Sequence, residues 1–227
     1  MMCYFVAEGR ADGKRTMPKP LARSADKPKI YEMLPSYLSS QPDASSLTGQ
    51  VLIAMPQMAD PRFNQSVIYL CAHTPEGAMG IVVNQPLNKP KFKDLLKQLE
   101  IEPSPPGREI RLCTGGPVEN NRGFVLHSPD WTSDSSLYVD DTHLLTASLD
   151  ILQAFAQGGG PEQCLMALGY AGWGPGQLDE EILQNAWLTA PADDHLLFDS
   201  DHRSKWTHAL AKLRVNPAML SGMAGRA

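Results

Sequence analysis

The stretch GQVLIAMPQMADPRFNQSVIYLCAHTPEGAMGIVVNQP, residues 49–86, decides the fold. GQVLIAMP (Gly49 to Pro56) and SVIYLCAHT (Ser66 to Thr74) are β-branched and apolar runs bounded by Pro, Asp and Asn, which marks them as strands. QMADPRFNQ between them is a polar loop. The turn Pro75-Glu76-Gly77 is short enough to fold the third run, MGIVVNQP (Met79 to Pro86), back on the second as a hairpin. Strand follows strand here, so the pairing it predicts is antiparallel.

Outward from this core the pattern continues. KFKDLLKQLEI, Lys91 to Ile101, places Phe92, Leu95, Leu96 and Leu99 on one helical face. REIRLCTGGPV (Arg108 to Val118) and RGFVLHSP (Arg122 to Pro129) read as strands separated by a Gly-Pro turn, and SLYVDD and HLLTA continue the β pattern. A helix capped by Thr146 or Ser148 runs to about Gln157, where Gly158-Gly159-Gly160-Pro161 stops it. QCLMALGYAGW is an apolar strand feeding a helix from about Gly176 to Asn185. AWLTAP and DHLLFD read as strands, and a last helix lies near Ser204 to Leu213 with Trp206 and Leu210 on one face. Three or four helices among so many strands predict an α+β single domain: a mixed, largely antiparallel sheet, able to curve toward a barrel, with flanking helices.

Two regions differ in composition. Residues 1–46 hold seven Lys/Arg, five Asp/Glu and five prolines without a sustained hydrophobic period. They read as a disordered N-terminal extension preceding a domain over 47–227, with Met17 or Met33 as alternative starts. Residues 47–227 carry 13 basic against 20 acidic side chains. That acidic balance repels phosphate backbones and argues against direct nucleic-acid binding. No apolar run approaches the roughly 18 residues of a membrane span, and MMCYFVAEGR lacks the basic region and cleavage site of a secretory signal. Cys3, Cys71, Cys113 and Cys164 are widely spaced with no C-x-x-C, so reduced, buried thiols are expected. Cys113, one residue before the Gly-Gly turn, is the thiol whose exposure matters most.

No nucleophile elbow, Walker loop or H-E-x-x-H is present, and no catalytic residue is assigned. In GYAGWGPGQLDEEI (169–182) the glycines at 169, 172, 174 and 176 do not fit a dinucleotide fingerprint. They open a helix whose amides could hold an anion, but Asp179, Glu180 and Glu181 already complement its dipole. Gly115-Gly116-Pro117 is a second bare-backbone turn, followed by Arg122 and His127 on an outgoing strand. Asp193-Asp194-His195 and Asp199-Ser200-Asp201-His202 resemble metal ligands. A strand over Leu196 to Phe198 would hold them about 10 Å or more apart at roughly 3.3 Å per residue, too far for one ion. No metal and no cofactor is therefore expected, and Asp140-Asp141-x-His143 reads as turn residues.

Taken in order, GQVLIAMPQMADPRFNQSVIYLCAH, MGIVVNQP, TGGPVENNRGFVLH, LGYAGWGPGQLDEEI, NAWLTAP and LLFD resemble the YqgE/AlgH family of bacterial proteins, over about Leu47 to Leu213. The resemblance implies one α+β domain in a soluble cytosolic protein often labelled a transcriptional regulator. It carries over motif positions and no catalytic residue: Asn84, Pro86, Gly115, Gly116, Pro117, His127, Gly172, Trp173, Gly176, Gln177, Leu178, Glu181 and Trp187. The long N-terminal extension departs from the family pattern.

The sequence thus points to a cytosolic regulatory or binding protein acting indirectly, through a small molecule or protein partner. Its groove candidates are Asn84, Gly115, Gly116, Arg122, His127, Gly172, Trp173, Gln177 and Glu181. Two alternatives stand beside it: an enzyme using His127 or Glu181 as an acid-base group in a glycine-lined cleft, and a regulator that binds DNA directly.

Overall fold

A computed structural model of the chain describes residues 46–104, 107–217 and 220. The expected disordered extension over 1–46 lies, Ser46 apart, outside them. Nine strands are present among the described residues: β1 (Gln50–Ala54), β2 (Val67–Thr74), β3 (Gly77–Val82), β4 (Leu112–Thr114), β5 (Val118–His127), β6 (Ser136–Tyr138), β7 (Leu144–Thr146), β8 (Cys164–Trp173) and β9 (Trp187–Pro191). Five helices flank them: α1 (Phe92–Gln98), α2 (Leu149–Ala156), α3 (Gln177–Leu183), α4 (Asp194–Phe198) and α5 (Lys205–Lys212).

The sheet runs β6-β7-β5-β8-β3-β2-β1-β9 and curls into an open half-barrel. Every pairing on that path is antiparallel, and β4 alone joins in parallel, alongside β8. The α+β fold expected from the order of strands and turns is the one observed. The β2–β3 hairpin forms as expected, but its loop is only Pro75-Glu76 because Gly77 pairs with Thr74; a register shift between Leu70 and Ala72 helps the ribbon bend.

The alternation of side chains across β1 builds two layers of core. Val51 and Ile53 face one cluster with Tyr69, Ile81, Trp206 and Leu210, where α5 covers the sheet. Leu52 and Ala54 face the other, with Ile68, Leu70, Trp173, Leu178 and Trp187. Because both faces are covered, every residue of β2 is buried, which explains its continuous rather than alternating apolar run. A third cluster packs α1 and α2 over Val125 and Met166 through Phe92, Leu96, Ile151 and Phe155.

Two expectations are corrected. DHLLFD is the helix α4, not a strand: the Asp193 carboxylate accepts from Leu196 N at 2.7 Å and caps a single turn. A five-residue apolar run cannot reveal its period, so the cap decides. Arg108 to Val118, expected as one strand, pairs regularly only over Leu112–Thr114. The Gly-Gly turn that follows is diverted onto β8.

Candidate functional site

Three of the glycines marked in the sequence, Gly115, Gly116 and Gly169, lie with backbone against backbone. Gly115 N donates to Leu168 O at 2.8 Å and Gly115 O accepts from Val82 N at 2.9 Å, so the turn is stitched between β8 and β3. A Cβ on Gly115 would meet Gly169 O at 2.1 Å, and one on Gly116 would meet the Tyr170 carbonyl carbon at 2.1 Å. Gly172 lies farther along the same strand and is exposed. The two glycine-rich runs therefore come together on β8 by packing on each other.

The helix that opens after the second run is organised by Glu181. Its Oε2 accepts from Trp173 Nε1 at 2.9 Å and Trp187 Nε1 at 2.8 Å, while Oε1 accepts from Gln177 Nε2 at 2.8 Å. Gln177 Oε1 in turn accepts from Gly174 N at 3.0 Å, and the two indoles meet edge to face. Elsewhere, Asn84 ties its loop to Val67 N and Gln65 O, both at 2.8 Å. Arg122 pairs with Glu119 at 3.0 Å and lies over the Phe124 ring.

His127 is fully buried, with Nδ1 on Ser128 O and Nε2 on Thr146 Oγ1, both at 2.9 Å. A carbonyl only accepts, so Nδ1 donates and Nε2 accepts the threonine proton. Burial lowers its pKa, and the ring is a neutral, fully partnered core group. That arrangement leaves His127 no nitrogen for acid-base work, and all three Glu181 bonds above serve its own helix and flanking strands.

None of these nine residues lines either of the two clefts described. The first, of about 580 Å³, opens beside β4 and the start of β8 and is walled by α4 and the segment after it. Arg108, Arg111, Cys113, Cys164, Phe198 and His202 are among its lining. The second, of about 680 Å³, lies on the far side of residues 108–111 against α1.

Behind His202, which lines the first cleft, lies an unusual set of groups. His202 Nδ1 lies 3.3 Å from Val83 O, and Lys205 Nζ lies 3.1 Å from the same oxygen and 2.7 Å from Leu197 O. Lys205 is 1% exposed and, among the described residues, forms no ion pair with a carboxylate. Burial lowers its pKa to about 8. Burial, with the positive charge of Lys205 next, also lowers the pKa of His202. The ring is then neutral at pH 7 with its proton on Nδ1, and Nε2 offers a lone pair that no described residue takes. Burial pushes the Cys113 thiol up to about 11, opposed by Lys205 and Arg111. Arg111 reaches across to Ser200 O at 3.1 Å.

The sequence marks Cys113 as the thiol whose exposure matters, and that exposure is nil. It places His202 among metal-like residues and does not mark Arg111 or Lys205. A signal for Lys205 exists: it sits four residues before Ala209 and beside Trp206, on the buried face of α5. As a helix, α4 brings the two Asp/His clusters closer than a strand would, and His195 Nε2 lies 3.1 Å from Asp199 Oδ2. Among the described residues, no three His, Cys, Asp or Glu side chains converge to hold a metal.

A further polar chain runs behind the cleft. Tyr69 donates to Asp140 Oδ2 at 2.7 Å, His143 Nδ1 faces Asp140 at 2.9 Å, and His143 Nε2 faces Asp194 Oδ1 at 3.1 Å. Asp140 Oδ1 also accepts from Thr142 N and His143 N, the turn role expected of this run. Together these bonds tie the β6–β7 connection to α4, which walls the cleft.

Comparison with known proteins places the chain. The AlgH-like model DUF179 matches residues 51–218. A UPF0301 protein of Rhodospirillum rubrum is 54% identical over 181 residues, covering 80% of this chain and 94% of its own. Another, from Gluconobacter oxydans, is 54% identical over 183 residues, covering 80% and 98%. The solution structure of the AlgH protein from Pseudomonas aeruginosa superposes with a TM-score of 0.67 at 44% identity, covering 83% of this chain and all of that one. A crystal structure from Corynebacterium diphtheriae, 18% identical with a TM-score of 0.60, shares the fold. With the family model spanning nearly the whole sheet and relatives identical at half their positions, this chain belongs to the AlgH-like UPF0301 family.

Proposed function

We propose that the protein is a cytosolic binding and regulatory protein whose small-molecule site is the cleft between β4, the start of β8 and α4. The observation that carries this reading is Lys205: a buried ammonium beneath a cleft that also exposes a neutral histidine edge. Burying a charge without a carboxylate partner costs stability, and such costs concentrate where a fold serves a ligand. Burial keeps the Cys113 thiol protonated at neutral pH, so no thiolate enters this reading. Of the sequence-selected positions, Gly115, Gly116, His127, Trp173 and Glu181 pack or bond within the fold around the sheet. Any effect on transcription is indirect, because residues 47–227 carry an excess of acidic side chains and no basic stripe supports DNA reading.

Native mass spectrometry of gently purified full-length protein tests this. A co-purifying small molecule that is lost when the cleft is filled by Cys164→Trp supports the reading. A co-purifying nucleic acid, or gel-shift binding that weakens steeply with salt, would replace it with direct DNA regulation.

A further inference from the structure

The charged groups around His202 come from every element that packs on it. Lys205 lies beside it at the start of α5, Arg111 approaches from the segment leading into β4, and Asp199 follows α4. Cys113 completes the floor as a neutral thiol. Two positive charges thus face one negative, and Asp199 is already engaged by His195. Of the other carboxylates lining the cleft, Asp194 faces His143, and Glu109 and Glu162 are solvent-exposed, as Arg111 is. Next to His202 itself, positive charge exceeds negative in a protein whose net charge is −5.

The donor geometry matches this excess. The described hydrogen bond of Arg111 uses one of its five N–H groups, leaving a planar fork suited to two oxygens of one anion. His202 Nε2 accepts a proton when a nearby negative charge offsets Lys205.

We propose that the cleft at His202 binds a small oxyanion, a carboxylate or phosphate group, held by the Arg111 guanidinium and by a proton shared with His202 Nε2. The inference rests on the cleft being a ligand site and names the charged group of its ligand. Binding takes up a proton at neutral pH, and the burial of His202 strengthens its contact relative to water, while Arg111 reaches the anion from the exposed side.

The test is a nuclear magnetic resonance titration of the full chain near pH 7.5, following the histidine Cε1–H signals. The probes are inorganic phosphate and acetate, with glycerol and ethylammonium as neutral and cationic comparisons and sodium chloride matching ionic strength. The expected result is a saturable shift of His202 alone toward its protonated position, with a midpoint in the range of about 1–10 mM for so small a probe. A response to phosphate alone assigns phosphorylated ligands, and one to acetate alone assigns carboxylic acids. Arg111→Gln weakens the response about tenfold or more, and Arg111→Lys weakens it less. Saturable cleft shifts with glycerol or ethylammonium but neither anion would overturn the oxyanion while sparing the ligand cleft. The absence of saturation with every probe, or undiminished anion binding in Arg111→Gln, would also overturn it; co-purification then judges the cleft separately.

Discussion

His202 and Lys205 converge on one acceptor: the Val83 carbonyl lies 3.3 Å from His202 Nδ1 and 3.1 Å from Lys205 Nζ. A main-chain oxygen one residue past β3 thereby fixes the histidine's tautomer and holds a buried cation behind it. The proposed cleft chemistry builds on this shared oxygen, and the cost of holding Lys205 there is measurable.

Lys205 is expected to lower stability at neutral pH. Its folded pKa of about 8 lies below its ordinary value of 10.5. A lowered pKa contributes stability that is present above pH 10.5 and lost as pH falls through 8. At pH 7 the penalty is about 3 kcal/mol by linkage, offset in any variant by loss of two hydrogen bonds worth about 1 kcal/mol each. Lys205→Met should therefore match or exceed the parent in urea denaturation at pH 7, with less gain between pH 8 and 10. A loss above about 3 kcal/mol would make Lys205 a structural necessity instead.

Asp140 should govern part of the acid sensitivity. Partial burial opposes its ionisation, but hydrogen bonds from Tyr69, His143 and Thr142 N outweigh that and hold the carboxyl at about 2. The folded pKa is depressed, so its contribution is present above about pH 4 and fades as pH falls to 2. The side chain is about a third exposed, and screening leaves about 1–2 kcal/mol. Comparing urea midpoints at pH 5 and pH 2.5, the parent should lose that much more than Asp140→Asn. Equal losses would remove Asp140 from the account.

Glu181 is expected to be structural. Glu181→Ala strands two indole N–H groups that are buried or nearly so, and should cost about 2–4 kcal/mol in thermal or urea unfolding. Glu181→Gln keeps one acceptor and should cost less. Neither should change phosphate binding measured at a temperature where the variant is folded. An oxyanion affinity that falls with Glu181→Gln would tie the two regions together.

The glycines should separate into two kinds. Gly115→Ala drives a methyl into the Gly169 carbonyl at 2.1 Å, a backbone contact that cannot relax by rotating a side chain. Soluble expression or unfolding midpoints should show a loss of more than about 3 kcal/mol. Gly176 has φ +69°, and a methyl added there meets nothing within 4 Å, so Gly176→Ala should cost only about 1 kcal/mol. Similar costs at both positions would contradict the backbone interlock.

The sheet is legible in the sequence because its strands are apolar and separated by Pro, Gly and Asn: β1 and β2 fall within the runs read from residues 49–86, and β3 overlaps its run while starting two residues earlier, at Gly77. α4 is not, because five residues carry too little periodicity to tell helix from strand, and the deciding bond is one Asp193 cap. The glycine runs announce places of close approach, but sequence cannot say whether the approaching group is a ligand or the strand next door. His202 and Arg111 are obscured for a different reason: they are 91 positions apart, and only the path of β3 and β4 past α5 brings them to one cleft.

The most direct measurement is the crystal structure of the protein soaked in tungstate, an oxyanion located by its anomalous scattering. The account predicts a peak within hydrogen-bond distance of Arg111 and His202, absent from Arg111→Gln crystals. Peaks confined to surface lysines, with none in the cleft, would contradict it.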